Sequence, residues 1–94
     1  MEIMAAKERE LERILKALAN QRRLLIVAHL KRKNTGIAVS DVAEHMKLSF
    51  KATSKHLMIL AAAGIIEKEQ ISKLMLSRIS PTMPKPARLM VDLL

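Results

Sequence analysis

Residues 48–60 read Leu48-Ser49-Phe50-Lys51-Ala52-Thr53-Ser54-Lys55-His56-Leu57-Met58-Ile59-Leu60, and Ala63-Gly64-Ile65-Ile66 follows shortly after. Ser49 can accept a hydrogen bond from one of the unpaired amides of a helix that begins at Phe50, and Gly64 can adopt the left-handed conformation that stops one. A helix from Phe50 to about Ala63 is therefore predicted. Thr53, Leu57 and Leu60 recur at i, i+4 and i+7, so they share the face that must pack inward. At about 100° per residue, Lys51, Ala52, Lys55 and Ile59 point away from that face, and Ser54 and His56 lie on its borders.

Working outward from this helix, Ser40 is the expected cap of a shorter one, Asp41–Met46. Asp41 then sits at the positive end of the helix dipole, and Val42, Ala43 and Met46 turn inward. Lys47-Leu48-Ser49 makes a tight connection. The two helices, about residues 40–63, form a helix-turn-helix pattern. Upstream, Leu11, Ile14, Leu15 and Leu18 make an amphipathic stripe, and no Gly or Pro precedes Gly36, so a first helix over about residues 2–18 is predicted. Asn20 can cap a second, which is apolar nearly all round from Leu24 to Leu30 and so reads as the buried central helix. Lys31, Arg32 and Lys33 suit its carboxyl end before Asn34-Thr35-Gly36 breaks it, and Gly36–Val39 is a stub of strand. Downstream, Ile65–Gln70 and Leu74–Ile79 flank Ile71-Ser72-Lys73 as a hairpin. Pro81, Pro84 and Pro86 stiffen a connector, with Pro86 placed to open a last helix over about residues 87–94.

The chain of 94 residues fits one domain, residues 1–94, and half of it is hydrophobic. A domain this short buries only about 60 to 65% of its unfolded surface, so an interface with a second copy would help. Lys and Arg number 17 against 9 Asp and Glu, a formal charge of +8 that points to a polyanionic partner. That charge is placed unevenly: residues 1–18 hold four acids and four bases, so the whole excess lies in residues 19–94.

Absences narrow the function further. The chain has no cysteine, which removes disulfides, thiolate nucleophiles and Cys-ligated metals. Phe50 is the one aromatic residue, too little for a platform that stacks single-stranded bases. Gly36 and Gly64 alone cannot build a phosphate-cradling loop. No nucleophile and base assemble, so no enzyme and no cofactor are expected. The longest apolar stretch, Leu57–Ile66, falls well short of the roughly 20 residues that span a bilayer, and Glu2, Lys7 and Glu8 interrupt any signal-peptide core. The expectation is a soluble cytoplasmic protein, associated with the nucleoid, with no membrane partner.

The element order α-α-β-α-α-β-β-α is that of a winged helix-turn-helix domain, mainly helical with a small hairpin wing over about residues 65–79. Ile14-Leu15-Lys16-Ala17-Leu18-Ala19-Asn20-Gln21-Arg22-Arg23-Leu24-Leu25-Ile26 resembles the opening segment of ArsR-type transcriptional regulators. The stretch from Leu48 to Ile66 resembles the same family's recognition helix and the start of its wing. The resemblance spans about Ile14 to Ser80 and implies a homodimeric regulator that binds double-stranded DNA.

On that reading the amino-terminal half of the recognition helix meets base edges and phosphates. Lys47, Ser49, Lys51, Ala52, Ser54, Lys55 and His56 are the expected contacts, with Lys68, Lys73 and Arg78 of the wing on the DNA backbone. Glu67 and Glu69 share a strand with Lys68, which suggests a weak clamp. Leu74 and Leu76 lie opposite Met75 and Ile79, leaving both strand faces partly apolar. The first and last helices of the family form its dimer interface, here Leu11, Ile14, Leu15, Leu18, Leu89, Met90 and Leu93.

The family's metal sensors use cysteines at positions matching Val39–Ala43, or His and acidic residues in the last helix. Here there is no cysteine, and the last helix offers only Asp92. His29, His45 and His56 make no helical ligand pair beyond Asp41 with His45. The resemblance therefore implies DNA binding and dimerisation without metal sensing. The leading expectation is a dimeric repressor on a pseudo-palindromic operator, with the possibility of a small-molecule or protein effector left open. The competing one is a winged helix that binds another protein.

Overall fold

The structure is a computed structural model that describes residues 2–94, with side chains from residue 6 onward. Its elements are α1 (Glu2–Leu18), α2 (Gln21–Lys33), β1 (Ile37–Ala38), α3 (Val39–Met46), α4 (Phe50–Ala62), β2 (Ile66–Ile71), β3 (Leu74–Ile79) and α5 (Lys85–Val91). The three strands form one antiparallel sheet in the order β1-β3-β2. This is a winged helix-turn-helix fold.

The side chains of α2 explain its central place. Ile26, Val27 and Leu30 are fully buried among Ile14 and Leu18 of α1, Val42 of α3, Leu57 and Leu60 of α4, Ile65, and Ala87 and Val91 of α5. Each large side chain closed off in this way contributes about 1.5–3 kcal/mol. Asn20 caps α2 as expected, its Oδ1 accepting the Arg23 amide at 3.1 Å. Asn34, in the left-handed region at φ 52°, ends it. Asn tolerates that conformation better than other non-glycine residues, so the break does not need Gly36.

The α1 stripe divides in a way that its spacing does not reveal. Ile14 and Leu18, expected at a contact between copies, are 1% and 5% exposed and belong to the protomer's own core. Leu11 and Leu15, about 60° further round the helix, stay exposed.

Two helix starts differ from expectation. The third helix begins at Val39 rather than Asp41, and its cap is Ala38, with no side-chain bond; Ser40 is exposed in the first turn. Pairing of Ile37 and Ala38 with Ser77 and Leu76 holds the chain extended up to the helix, and burial of Val39 turns it inward, so no hydroxyl cap is required. The last helix begins at Lys85, with Pro86 inside its first turn, and ends at Val91 rather than Leu94. Lys31 Nζ from α2 donates to the Val91 carbonyl at 3.2 Å and to that of Leu94 at 3.4 Å, closing the end of α5.

Gly64 has φ 76°, the left-handed stop expected after α4. In the hairpin, pairing of Ile71 with Leu74 leaves a two-residue turn, Ser72-Lys73, in which Ser72 takes φ 58° where glycine is usual. The second strand starts at Ile66 rather than Ile65 and runs on to Ile71, and the Ile65 carbonyl ahead of it accepts the Ser80 amide at 3.0 Å. Gly36 lies over Leu76: a Cβ there would meet Leu76 Cβ and Cδ1 at 3.2 Å. The apolar outer face of β3 is thus covered at Leu76 and open at Leu74.

Candidate nucleic-acid interface

The turn that aims α4 is built from backbone bonds. Lys47 takes φ 56° and its amide donates to the Glu44 carbonyl at 3.2 Å, while the Leu48 amide reaches Ala43 at 3.0 Å. Ser49 Oγ then accepts the Ala52 amide at 3.0 Å. Its oxygen serves the helix start, so the part expected of Ser49 in the interface is taken first by the cap. Thr53, Leu57 and Leu60 are fully buried, which fixes the rotation of α4 and turns the other side of the helix outward.

That outer side, with Phe50, Lys51, Ser54, Lys55 and Met58, forms a groove closed by Lys68 of β2. The wing contributes Lys68 because of its register. Lys68 pairs with Ser77, on the same sheet face as Ile66 and Ile79. Glu67 and Glu69 alternate onto the opposite face. The two acids that suggested a weak clamp therefore point away from the groove, and no carboxylate lines it among the described residues. Lys47 precedes α4 and Lys73 stands at the wing tip, both exposed. Ala52 and Ser54 are half-buried on the outer side of α4.

Three expected roles change. Arg78 is on the acidic face and is held by Glu67, with Nη2 at 2.9 Å and Nε at 3.3 Å from one carboxylate oxygen. Its guanidinium thus faces a carboxylate within its own strand pair, whereas Lys68 has no such neighbour among the described residues. Ile59, expected to point away, packs against the core and faces α1 beside Ala17 and Ala62. His56 turns toward α2, where Arg23 Nη1 is 3.2 Å from its Nδ1. A guanidinium can only donate, so Nδ1 must be the unprotonated nitrogen and the ring is neutral. Burial first, then the charges of Arg23, Arg22 and Lys55, hold its pKa below the ordinary value.

The sequence reading also missed a histidine pair. His29 of α2 and His45 of α3 stack with centroids 3.7 Å apart and planes 13° from parallel. They border a cleft with Lys33, Asp41 and Glu44. His29 is 4% exposed, and burial followed by the charges of His45, Arg32 and Lys33 lowers its pKa. No helical spacing links two residues on different helices. Among the described residues, no group of three or more His, Asp or Glu side chains is placed to hold a metal ion.

At another part of the surface, α5 packs against α1. Leu11, Leu15, Leu89 and Leu93 are exposed there and Met90 is half-buried. No helix among the described residues is long and apolar enough to cross a membrane.

The family model for bacterial regulatory proteins of the arsR family matches residues 20–68, from the cap of α2 through Lys68. The chain belongs to the ArsR family. The uncharacterized HTH-type transcriptional regulator YbzH of Bacillus subtilis is 34% identical over 73 residues, covering 64% of this chain and 73% of its own. The homodimeric winged helix-turn-helix DNA-binding domain of a Mycobacterium bovis protein superposes with a TM-score of 0.81 at 27% identity, over 95% of this chain and 78% of that one. The transcriptional repressor BigR of Xylella fastidiosa gives a TM-score of 0.73 at 25% identity, over 98% and 86% of the two chains. This ArsR-family protein is thus a transcriptional regulator with a winged helix-turn-helix DNA-binding domain. Its family and fold are those of DNA-binding regulators rather than enzymes.

Proposed function

We propose that this ArsR-family regulator binds a specific duplex site as a homodimer and represses transcription by occluding a promoter. The observation that carries the reading is the groove between α4 and β2, where Lys51, Lys55 and Lys68 converge with no acid in its lining. An α-helix fits the major groove of B-DNA, and lysines on its exposed side can donate to phosphate or to guanine O6 and N7. The wing lies beside it on the backbone, with Lys68 and Lys73 as its free cations and Lys47 at the turn.

Leu11, Leu15, Leu89, Met90 and Leu93 supply the contact between copies, which supports a two-fold dimer of the kind formed by the Mycobacterium bovis neighbour. Two recognition helices related in this way would stand about one DNA turn, ~34 Å, apart and require a pseudo-palindromic operator. BigR, described as a repressor, supports the choice of repression over activation.

Fluorescence anisotropy with duplex DNA at low salt tests the reading, alongside sedimentation of the protein alone. Wild type should bind duplex in preference to single strands. Lys51→Ala with Lys55→Ala should lose that binding and remain dimeric. Equal binding by wild type and the double variant, or no duplex binding by wild type, would overturn it.

A further inference from the structure

The lysines account for the charge of the α4 groove and leave its apolar content unexplained. Phe50 and Met58 are 59% and 58% exposed on the side of the helix that carries Lys51 and Lys55. They are eight residues apart, about 12 Å along the helix axis at 1.5 Å per residue. A single exposed apolar side chain calls for no explanation. Two large ones set two turns apart among three convergent cations describe a partner that alternates negative charge with apolar surface.

We infer that Phe50 and Met58 contact the 5-methyl groups of thymine, so that the site preferred by this protein carries thymine where the two side chains enter the major groove. The inference rests on the duplex-DNA reading above and adds a base preference to it. Of the groups displayed in the major groove, the thymine methyl is the one apolar group; the others are hydrogen-bond donors and acceptors. Phosphates rim the same groove at the spacing that lysines can reach. A distance of about 12 Å corresponds to between three and four base-pair steps at 3.4 Å each, so one α4 can touch methyl groups at both ends of a half-site. A single-stranded partner would instead need a run of aromatic platforms, and Phe50 is the chain's one aromatic residue.

The experiment begins with duplexes recovered by wild-type protein from a random-sequence pool. Their affinity is measured again with every thymine replaced by deoxyuridine, which keeps base pairing and removes only the methyl group. Binding should weaken about fourfold for each contacted methyl lost, the factor expected for exposing one buried carbon. Phe50→Ala with Met58→Gln should bind the thymine duplex less tightly and show no further loss with deoxyuridine. Wild-type binding that is tight yet indifferent to deoxyuridine overturns the inference and leaves the DNA reading standing. Absence of duplex binding sinks both. A change of oligomeric state in the double variant, read by sedimentation, would mean that the face joins two copies and would also overturn the inference.

Discussion

Arg23 and His56, 33 residues apart in the chain, meet at 3.2 Å through Nη1 and Nδ1. The same guanidinium donates through Nε to the Ala17 carbonyl at 2.6 Å and through Nη2 to that of Lys16 at 3.1 Å. One side chain thus closes the carboxyl end of α1, stands in the first turn of α2 and reaches α4. The carbonyl end of α1 is the negative end of its dipole, where a cation is stabilising. Both backbone carbonyls and the ring nitrogen meet the one planar fork, so the geometry depends on it. Arg23→Ala should destabilise the fold by about 1–3 kcal/mol, and Arg23→Lys by part of that, since an ammonium keeps the charge but not the three-way geometry. Thermal unfolding checks the order wild type, Lys, Ala. A lysine variant with the wild-type midpoint would show that the fork adds nothing beyond charge.

Acid should loosen the same junction. His29 and His56 both have pKa values held below the ordinary 6.5, chiefly by burial. As pH falls through 6.5, the unfolded chain takes up protons that the folded one refuses, so stability drops with falling pH until it reaches the folded-state values. Above about pH 8 the rings are neutral in both states and exert no such pull. The unfolding midpoint should decline between pH 7 and pH 5. His56→Gln, which keeps an acceptor for Arg23 and cannot be protonated, should make that decline shallower. A decline unchanged in this variant would remove His56 from the effect.

Lys68 and Arg78, two cations of the wing, should behave differently toward DNA. Lys68 faces the groove, whereas Arg78 is held by Glu67 on the opposite face. Lys68→Ala should weaken binding to all sequences alike and lower the slope of log affinity against log salt by about 1 per protomer. Arg78→Ala should leave the slope unchanged. Anisotropy titrations at several salt concentrations separate the two, and equal slopes for both variants would contradict the placement of the wing.

Thr53 is fully buried in α4, and its Oγ1 has no hydrogen-bond partner among the described residues. Thr53→Val replaces that hydroxyl with a methyl group of nearly the same shape. Leaving a polar group unpaired costs about 1–3 kcal/mol, so the variant should be more stable by an amount of that order. For a domain of this size, each kcal/mol raises the unfolding midpoint by roughly 4–8 °C. A lowered midpoint would mean that the hydroxyl has a partner, such as an ordered water.

The parts legible in the sequence are those set by neighbours in the chain. Ser49 and Gly64 bound α4, and the spacing of Thr53, Leu57 and Leu60 identifies its inner face, because caps and helical period act within a few residues. Ser40 failed as a cap because a distant strand, β3, holds Ile37 and Ala38 extended and makes the side-chain cap unnecessary. The separation of Lys68 from Glu67 and Glu69 was available from the two-residue period of a strand. That Lys68 rather than the acids faces α4 required the packing of the sheet.

Taken alone, the sequence determined the order of helices and strands, the basic body behind a neutral first helix, and the lack of any thiol. It also marked Lys51 and Lys55 as outward-facing. Tertiary structure alone decided that Ile14 and Leu18 close the core while Leu11 and Leu15 remain exposed, that Arg78 is matched and Lys68 is free, and that His56 serves Arg23. The physical reason is one of range. Periodicity specifies which residues share a face, but which faces meet, and which charges find partners there, is set by the packing of segments far apart in the chain.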